Sequence, residues 1–315
     1  MYERGGIQSM KKVVTILLVA SLFLIACGSA ALGEDAAASM SAGELCQLGK
    51  DAEAVEDYEK AMEYYQLAAE QDDAEATWPI GSLYYYGNGV AQDYDKALEY
   101  FQKAADLGHV RALNSVGYMY LMGYGVEQDY QKALEYIQLA LDQGEMHAQE
   151  NMGYMYLNGL GVDQDTAKAV ECYQLAADQG SVQSQLYVAM MYHIGQGVEQ
   201  DYEKALKYYL LAADQGDAMA LNNIGDMYEN GHGVEQSYEK AMEYYQRSIE
   251  AGEGYGYMSM GDLYRKGLGV EQSYEKAAEN FRKSAELGVE QAVEALKELV
   301  EAGHVSGDYL NGLGE

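Results

Sequence analysis

The chain is poor in several things that other folds and most enzymes of its length depend on. One proline, Pro79, occurs in 315 residues, and no alternation of apolar and polar residues is sustained, which argues against a fold built on strands. Three cysteines, Cys27, Cys46 and Cys172, are too few for a disulfide framework. Basic residues are scarce: 20 Lys and Arg stand against 51 Asp and Glu, a formal net charge of −31. Such a surface repels nucleic acid and anionic lipid headgroups, both of which need basic patches. The histidines (His109, His147, His193, His232 and His304) are scattered, without the close pairing that zinc sites use. There is no Gly-x-Ser-x-Gly elbow, phosphate-binding loop or calcium loop. With so many acids, neighbouring carboxylates arise by chance and give no sign of glycoside hydrolysis. The sequence therefore assigns no catalytic residue, no cofactor and no metal.

Repetition is abundant. A Gly-x-Gly-Val tetrad recurs every 36 residues, beginning at Gly87, Gly123, Gly159, Gly195, Gly231 and Gly267. A fixed period of this size means stacked supersecondary units. Four residues after each valine comes a tyrosine (Tyr94, Tyr130, Tyr202, Tyr238, Tyr274), replaced once by Thr166, and then a Lys-Ala pair. Apolar residues follow at helical spacing, as in Ala97, Tyr100, Phe101, Ala104 and Ala105. Gly108 and its equivalents close that segment, as a left-handed C-terminal cap requires. Asp93, Asp129, Asp165, Asp201, Ser237 and Ser273 open it, with side-chain oxygens suited to an N-cap.

The other half of each unit is also helical, with Ala112, Val116, Gly117, Met119 and Tyr120 as its inward face in one copy. Gly81, Gly117, Gly153, Gly225 and Gly261 fall in mid-helix, where glycine costs about 1 kcal/mol against alanine. Their recurrence predicts an approach too close for a Cβ, most simply by the partner helix. Pro79 is expected within the first turns of its helix, where a missing N–H costs little.

The motif Ala-x3-Leu-Gly-x2-Tyr-x2-Gly-x-Gly-Val-x2-Asp-x2-Lys-Ala-x2-Tyr-x3-Ala-Ala-x2-Gly resembles the Sel-1-like repeat, a relative of the tetratricopeptide repeat. Six copies span 73–288 (73–108, 109–144, 145–180, 181–216, 217–252 and 253–288). A degenerate copy, 45–72, carries Tyr58, Lys60-Ala61 and Tyr64-Tyr65 in register, with Glu53-Ala54 in place of Gly-Val and Asp72 in place of the closing glycine. The fold expected is an all-α solenoid of helix-turn-helix repeats, and the resemblance implies a right-handed superhelix. It also implies binding rather than chemistry, since family members are mostly adaptors and scaffolds. Some secreted members pair two cysteines in every repeat and bind or hydrolyse β-lactams; those cysteines are absent here. A host-facing or regulatory secreted effector is a further alternative. Residues 289–315 are expected to hold a capping helix over Val289–His304 and a frayed tail from Gly307.

The amino terminus predicts location. Lys11-Lys12 followed by the apolar run Val13 to Ala26 reads as a leader, too short to span a bilayer. Leu24-Ile25-Ala26-Cys27 resembles a bacterial lipobox, in which Cys27 is diacylated; residues 1–26 are then the signal peptide, with Met10 a candidate start. Residues 27–44 read as the lipidated cysteine and a small-residue tether. The expected product is an extracytoplasmic, lipid-anchored monomer.

In tetratricopeptide-like solenoids the first helix of each unit lines the concave face. Positions there that vary between copies are candidates for partner recognition: Glu75, Trp78, Ser82 and Tyr85; Arg111, Asn114 and Tyr118; Glu150 and Tyr154; Tyr187; Asn222 and Asp226; Met258 and Asp262. Tyrosine and tryptophan offer contact area with a polar handle, so a protein or peptide is the expected ligand. The acids are spread through both helices of each unit, which reads as solubility; a basic partner is the sharper alternative.

Overall fold

The computed structural model describes residues 39–313. The expected leader, Cys27 and the tether as far as Ala38 lie outside the described residues. Those described form fifteen α-helices and one short 3-10 turn, with no strand among them. They fall into two compact units divided after Asp129.

The first unit holds α1 (Ala42–Glu53), α2 (Tyr58–Ala69), α3 (Ala74–Tyr86), α4 (Tyr94–Asp106) and α5 (Val110–Met122). The second holds α6 (Tyr130–Leu141), α7 (Met146–Asn158), α8 (Thr166–Asp178), α9 (Val182–Ile194), α10 (Tyr202–Asp214), α11 (Ala218–Asn230), α12 (Tyr238–Glu250), α13 (Gly254–Lys266), α14 (Tyr274–Glu286) and α15 (Glu290–Glu301). Within each unit an A helix, the first of its repeat, packs on the B helix that follows it, and each B helix packs on the next A helix.

The capping residues read from the sequence act as expected. Asp93, Asp165 and Asp201 accept from the backbone N–H three residues on, each at 3.0 Å, and Ser237 and Ser273 do so at 3.3 Å. The first glycine of each tetrad is the left-handed C-cap of its A helix, as at Gly87 with φ 73°. The second glycine sits where successive repeats meet: a Cβ on Gly125 would lie 2.5 Å from the Tyr94 carbonyl oxygen. Each tetrad thus rests on the first turn of the preceding B helix. A repeating glutamine, not anticipated from the sequence, closes the loop. Gln92, Gln128, Gln164, Gln200, Gln236 and Gln272 each donate to the carbonyl seven residues back, at 2.7–2.8 Å.

Four of the five mid-helix glycines, Gly81, Gly153, Gly225 and Gly261, are explained by an aromatic ring of the B helix in the same repeat. A Cβ on Gly81 would meet the Phe101 ring at 2.6 Å, and one on Gly261 the Phe281 ring at 2.5 Å. Tyr65, Tyr209, Tyr245 and Phe281 fill the core at 0–1 % exposure.

Three expectations change. In the degenerate repeat, α1 runs through Glu53 and only Ala54–Asp57 joins it to α2. Its mid-helix glycine, Gly49, meets the Tyr65 ring as Gly81 meets Phe101, four residues closer in sequence, so the glycine tetrad is missing rather than substituted. Asp72 does stand in for the closing glycine, at φ 58°. Pro79 lies at the sixth position of α3, within the first turns as expected but past the free N–H groups of the helix end, so its missing N–H does cost the helix a bond. The described part of the tail, as far as residue 313, is not frayed: Gly307–Leu310 forms a 3-10 turn, and the Arg282 guanidinium donates to the carbonyls of Asp308, Tyr309 and Asn311 at 3.2–3.3 Å.

Candidate functional site: the A-helix face

In the first unit the variable residues of α3 and α5 form two linked groups. Trp78 stacks on His109, with ring centroids 5.6 Å apart, and donates from Nε1 to Ser115 Oγ at 2.9 Å. The Arg111 guanidinium lies 6.0 Å over the same indole. His109 caps α5 by accepting from the Ala112 N–H on Nδ1, which leaves the proton on Nε2, 3.6 Å from Glu75. Burial holds the His109 pKa below the usual imidazole range, against the pull of Glu75. Glu75, Trp78 and Arg111 are therefore one assembly, keyed by a histidine that no sequence rule pointed to.

The second group is a tyrosine cluster. Tyr85 is packed by Tyr86, Tyr94 and Tyr124, with centroids 4.9–6.0 Å apart, and Tyr118 approaches Tyr124 at 6.3 Å. Burial drives the Tyr85 phenol well above its usual range. Ser82 is half-buried, and Asn114 is only 9 % exposed, so this asparagine belongs to the packing rather than to an open surface.

In the second unit, Glu150 on α7 accepts from Ser181 Oγ, from Ser184 Oγ at 3.0 Å and from His147 Nδ1 at 2.8 Å. Burial alone would raise its pKa, but these three donors together hold it below the usual range. Tyr154 and Tyr187 are open, at 42 % and 41 % exposure. Tyr187 is steadied by the Tyr173 ring of α8, 5.3 Å away.

Further along lies a chain of titratable groups that no spacing rule announced. His193 Nε2 faces His232 Nδ1 at 3.3 Å across 39 residues, and the Tyr209 hydroxyl reaches His193 Nδ1 at 3.5 Å. Burial, then the neighbouring His232, lowers the His193 pKa. On α11, Asp226 Oδ1 and Glu229 Oε2 lie 2.6 and 2.7 Å from the single Tyr245 hydroxyl. Burial pushes Asp226 up to about 6; the Tyr245 hydrogen bond offsets part of that rise and the Glu229 charge adds to it. Asn222 is 9 % exposed and accepts from Ser259 Oγ at 3.2 Å, so its amide too is committed to packing. At the far end Asp262 lies 2.6 Å from the Arg265 guanidinium, which also bonds Glu298 at 3.0 Å. Met258 packs on the carboxy-terminal apolar cluster.

The described residues hold no group of three or more His, Cys, Asp or Glu placed to bind a metal. Cys46 is buried and Cys172 half-buried, both as free thiols; burial pushes the Cys172 thiol up to about 11, away from the reactive range.

The Sel1 repeat model matches seven segments of the chain, residues 35–73, 74–109, 110–145, 147–181, 182–217, 218–253 and 254–289. The first takes in the shortened amino-terminal repeat. No curated protein matches the chain. Among solved structures it is similar to a protective antigen of uropathogenic Escherichia coli strains displaying an SLR fold. That match has 33% identity and a TM-score of 0.71, over 84% of this chain and 57% of the antigen, so the chain spans little more than half of that protein's length. It is also similar to a Sel1 repeat protein from Oxalobacter formigenes, with 28% identity and a TM-score of 0.68, over 76% of this chain and 99% of the other.

Proposed function

The chain belongs to the Sel1 repeat family, and from that premise we propose that it is a membrane-anchored, extracytoplasmic scaffold that binds a protein partner on the A-helix faces of its units. Sel1 repeat solenoids in general mediate protein–protein interaction and are non-catalytic. The observation that carries the reading is where the unlike residues lie. Residues that repeat throughout the array are consumed by caps, loop closure and ring packing, whereas the positions of Trp78, Tyr118, Tyr154 and Tyr187 change residue along it, only Tyr118 and Tyr154 matching each other, and these side chains keep part of their surface open. Large aromatics with a polar edge are what interfaces enrich.

Affinity capture with the full chain, beside a variant with Trp78, Tyr118 and Tyr154 changed to alanine, tests this. The wild type is expected to retain partners that the variant loses by tenfold or more, the effect of roughly 1.4 kcal/mol. Equal recovery by two equally folded proteins refutes the A-helix face as the binding surface.

The anchoring rests on the lipobox-like Leu24-Ile25-Ala26-Cys27. Two acyl chains hold a protein to a bilayer firmly where one does so marginally, and an anchored display also fits the antigen described among the similar structures. Cys27→Ser is expected to move the protein from the membrane pellet to the soluble fraction on cell fractionation; unchanged retention in the pellet removes the lipid-anchor reading.

A further inference from the structure

We propose that the A-helix face formed by α7, α9 and α11 receives an extended segment of a partner protein whose inward-pointing side chains, every second residue, include both lysine or arginine and apolar residues. This rests on the protein-binding reading above and specifies its ligand chemistry.

The first observation is where the cations are. Although the unit contains many lysines, α7, α9 and α11 hold neither Lys nor Arg, while they carry Glu150, Asp226 and Glu229. Lys132, Lys168, Lys204, Lys207 and Lys240 all sit on the B helices. Several are already engaged there: Lys168 and Lys204 pair with the N-cap aspartates Asp165 and Asp201 at 3.6 and 3.3 Å. They also lie over the Tyr156 and Tyr192 rings at 5.2 and 4.9 Å. The face is thus acidic with no Lys or Arg of its own, in a chain of net charge −31. Charge complementarity selects a basic partner, chiefly through encounter rate and exclusion of acidic competitors.

The second observation is apolar. Tyr154, Tyr187, Met190 and Met219 expose 39–43 % of their surface on these three helices. Tyr154 and Met190 hold equivalent positions in adjacent repeats, and Tyr187 and Met190 share one turn of α9. A tyrosine face attracts ammonium and guanidinium groups, and methionine adapts to varied apolar side chains. Side chains bridge successive A helices directly, as Ser184 of α9 does to Glu150 of α7 at 3.0 Å, which sets them on the order of 10 Å apart. Crossing three takes roughly 20 Å, or six to seven extended residues at about 3.3 Å each. Every second side chain of such a segment points to the face, so the basic and the apolar residues must both fall on that one set, as in a Lys-Ser-Leu-Ser pattern.

The experiment is fluorescence anisotropy of the full chain with the fluorescein-labelled nonapeptide Lys-Ser-Leu-Ser-Lys-Ser-Leu-Ser-Lys, beside the same lysine–leucine peptide with glutamate in place of every lysine. Two substitutions of equal charge separate a local face from bulk attraction: Met190→Lys on α9, and Leu175→Lys on the outer surface of α8, 53 % exposed. Gln183→Lys, also exposed on α9, is a second probe of the face should Met190→Lys lower the helical content. The lysine–leucine peptide is expected to bind and the glutamate–leucine peptide not to. Met190→Lys or Gln183→Lys is expected to weaken binding about tenfold, and Leu175→Lys less than about twofold. Equal weakening by both faces, or no binding of the basic peptide to the wild type, overturns the proposal. A chain that binds no basic peptide yet still loses its captured partners when Trp78, Tyr118 and Tyr154 are changed keeps the protein-binding reading and loses only this one.

Discussion

Gly125→Ala is expected to destabilise the chain by about 4 kcal/mol, while Gly108→Ala costs about 1. Both glycines have positive φ, +64° and +90°, so alanine at either suffers the crowding of Cβ against its own carbonyl, about 1–2 kcal/mol. The difference lies in what surrounds them. A methyl on Gly108 meets nothing within 4 Å, whereas one on Gly125 would sit 2.5 Å from the Tyr94 carbonyl oxygen and 2.6 Å from its carbon. Those atoms belong to the backbone of the first turn of α4, which the Asp93 cap holds in place. No side chain can rotate aside, so the repeat must move off its neighbour. In a stacked array each unit is stabilised mainly by the ones it touches, and parting them forfeits burial as well as adding strain. Urea denaturation of the two variants beside the wild type measures the difference. Comparable losses would mean that the tetrad fixes only chain direction and not the stacking distance.

This distinction marks the limit of what the sequence tells. The tetrads, the caps at Asp93 and Asp201 and the buried rings Tyr65 and Tyr245 are legible because each is a local rule repeated in every copy. Even the cause of Gly81 could be inferred as a close approach, since a residue so costly in mid-helix recurs only where a Cβ has no room. Contacts made between repeats are not legible in the same way. Trp78 reaches Ser115 across 37 residues and His193 reaches His232 across 39, neither of them a multiple of the 36-residue period, because one residue lies on a helix and the other a turn or a loop further round. The same cause hid the assembly of Glu75, His109, Trp78 and Arg111. Asn114 and Asn222 vary between copies but face the packing, so variability alone overstates the surface. The amino-terminal repeat misled for a different reason: Tyr58 to Ala69 keep the register of a B helix, which concealed the loss of a loop before it.

Asp226→Asn is expected to stabilise the chain at pH 7.5 by about 2–3 kcal/mol, with the gain falling to about 1 kcal/mol at pH 4.5 and vanishing below about pH 4. The reason is a count of protons. Asp226 and Glu229 both stand within hydrogen-bond distance of Tyr245, at 2.6 and 2.7 Å, and a phenol has one proton to give. When both acids are ionised, one of two neighbouring carboxylates is left without that donor in a half-buried place. When Asp226 is protonated its own O–H donates to the phenol oxygen, the phenol donates to Glu229, and the group is complete. Burial accordingly sets the Asp226 pKa at about 6, against about 3.9 in an unfolded chain. A carboxyl whose folded pKa is raised contributes stability that is fully present below the unfolded value and is lost as the pH climbs through the folded one, here between about 4 and 6. His193 acts in the opposite sense: its pKa is lowered by burial and by His232, so its contribution is lost on acidification. The paired carboxylates, such as Asp93 and Asp201, lose theirs on acidification too. The wild-type profile therefore mixes opposing trends, and the informative quantity is the difference between wild type and Asp226→Asn across the pH range. Asparagine keeps the shape of the neutral acid and can offer its amide N–H to the phenol, so it removes the ionisation and little else. Thermal melts at half-unit intervals supply the curve. A difference that stays constant from pH 7.5 to 4.5 would show that Asp226 is ionised throughout and that Tyr245 satisfies both carboxylates unaided.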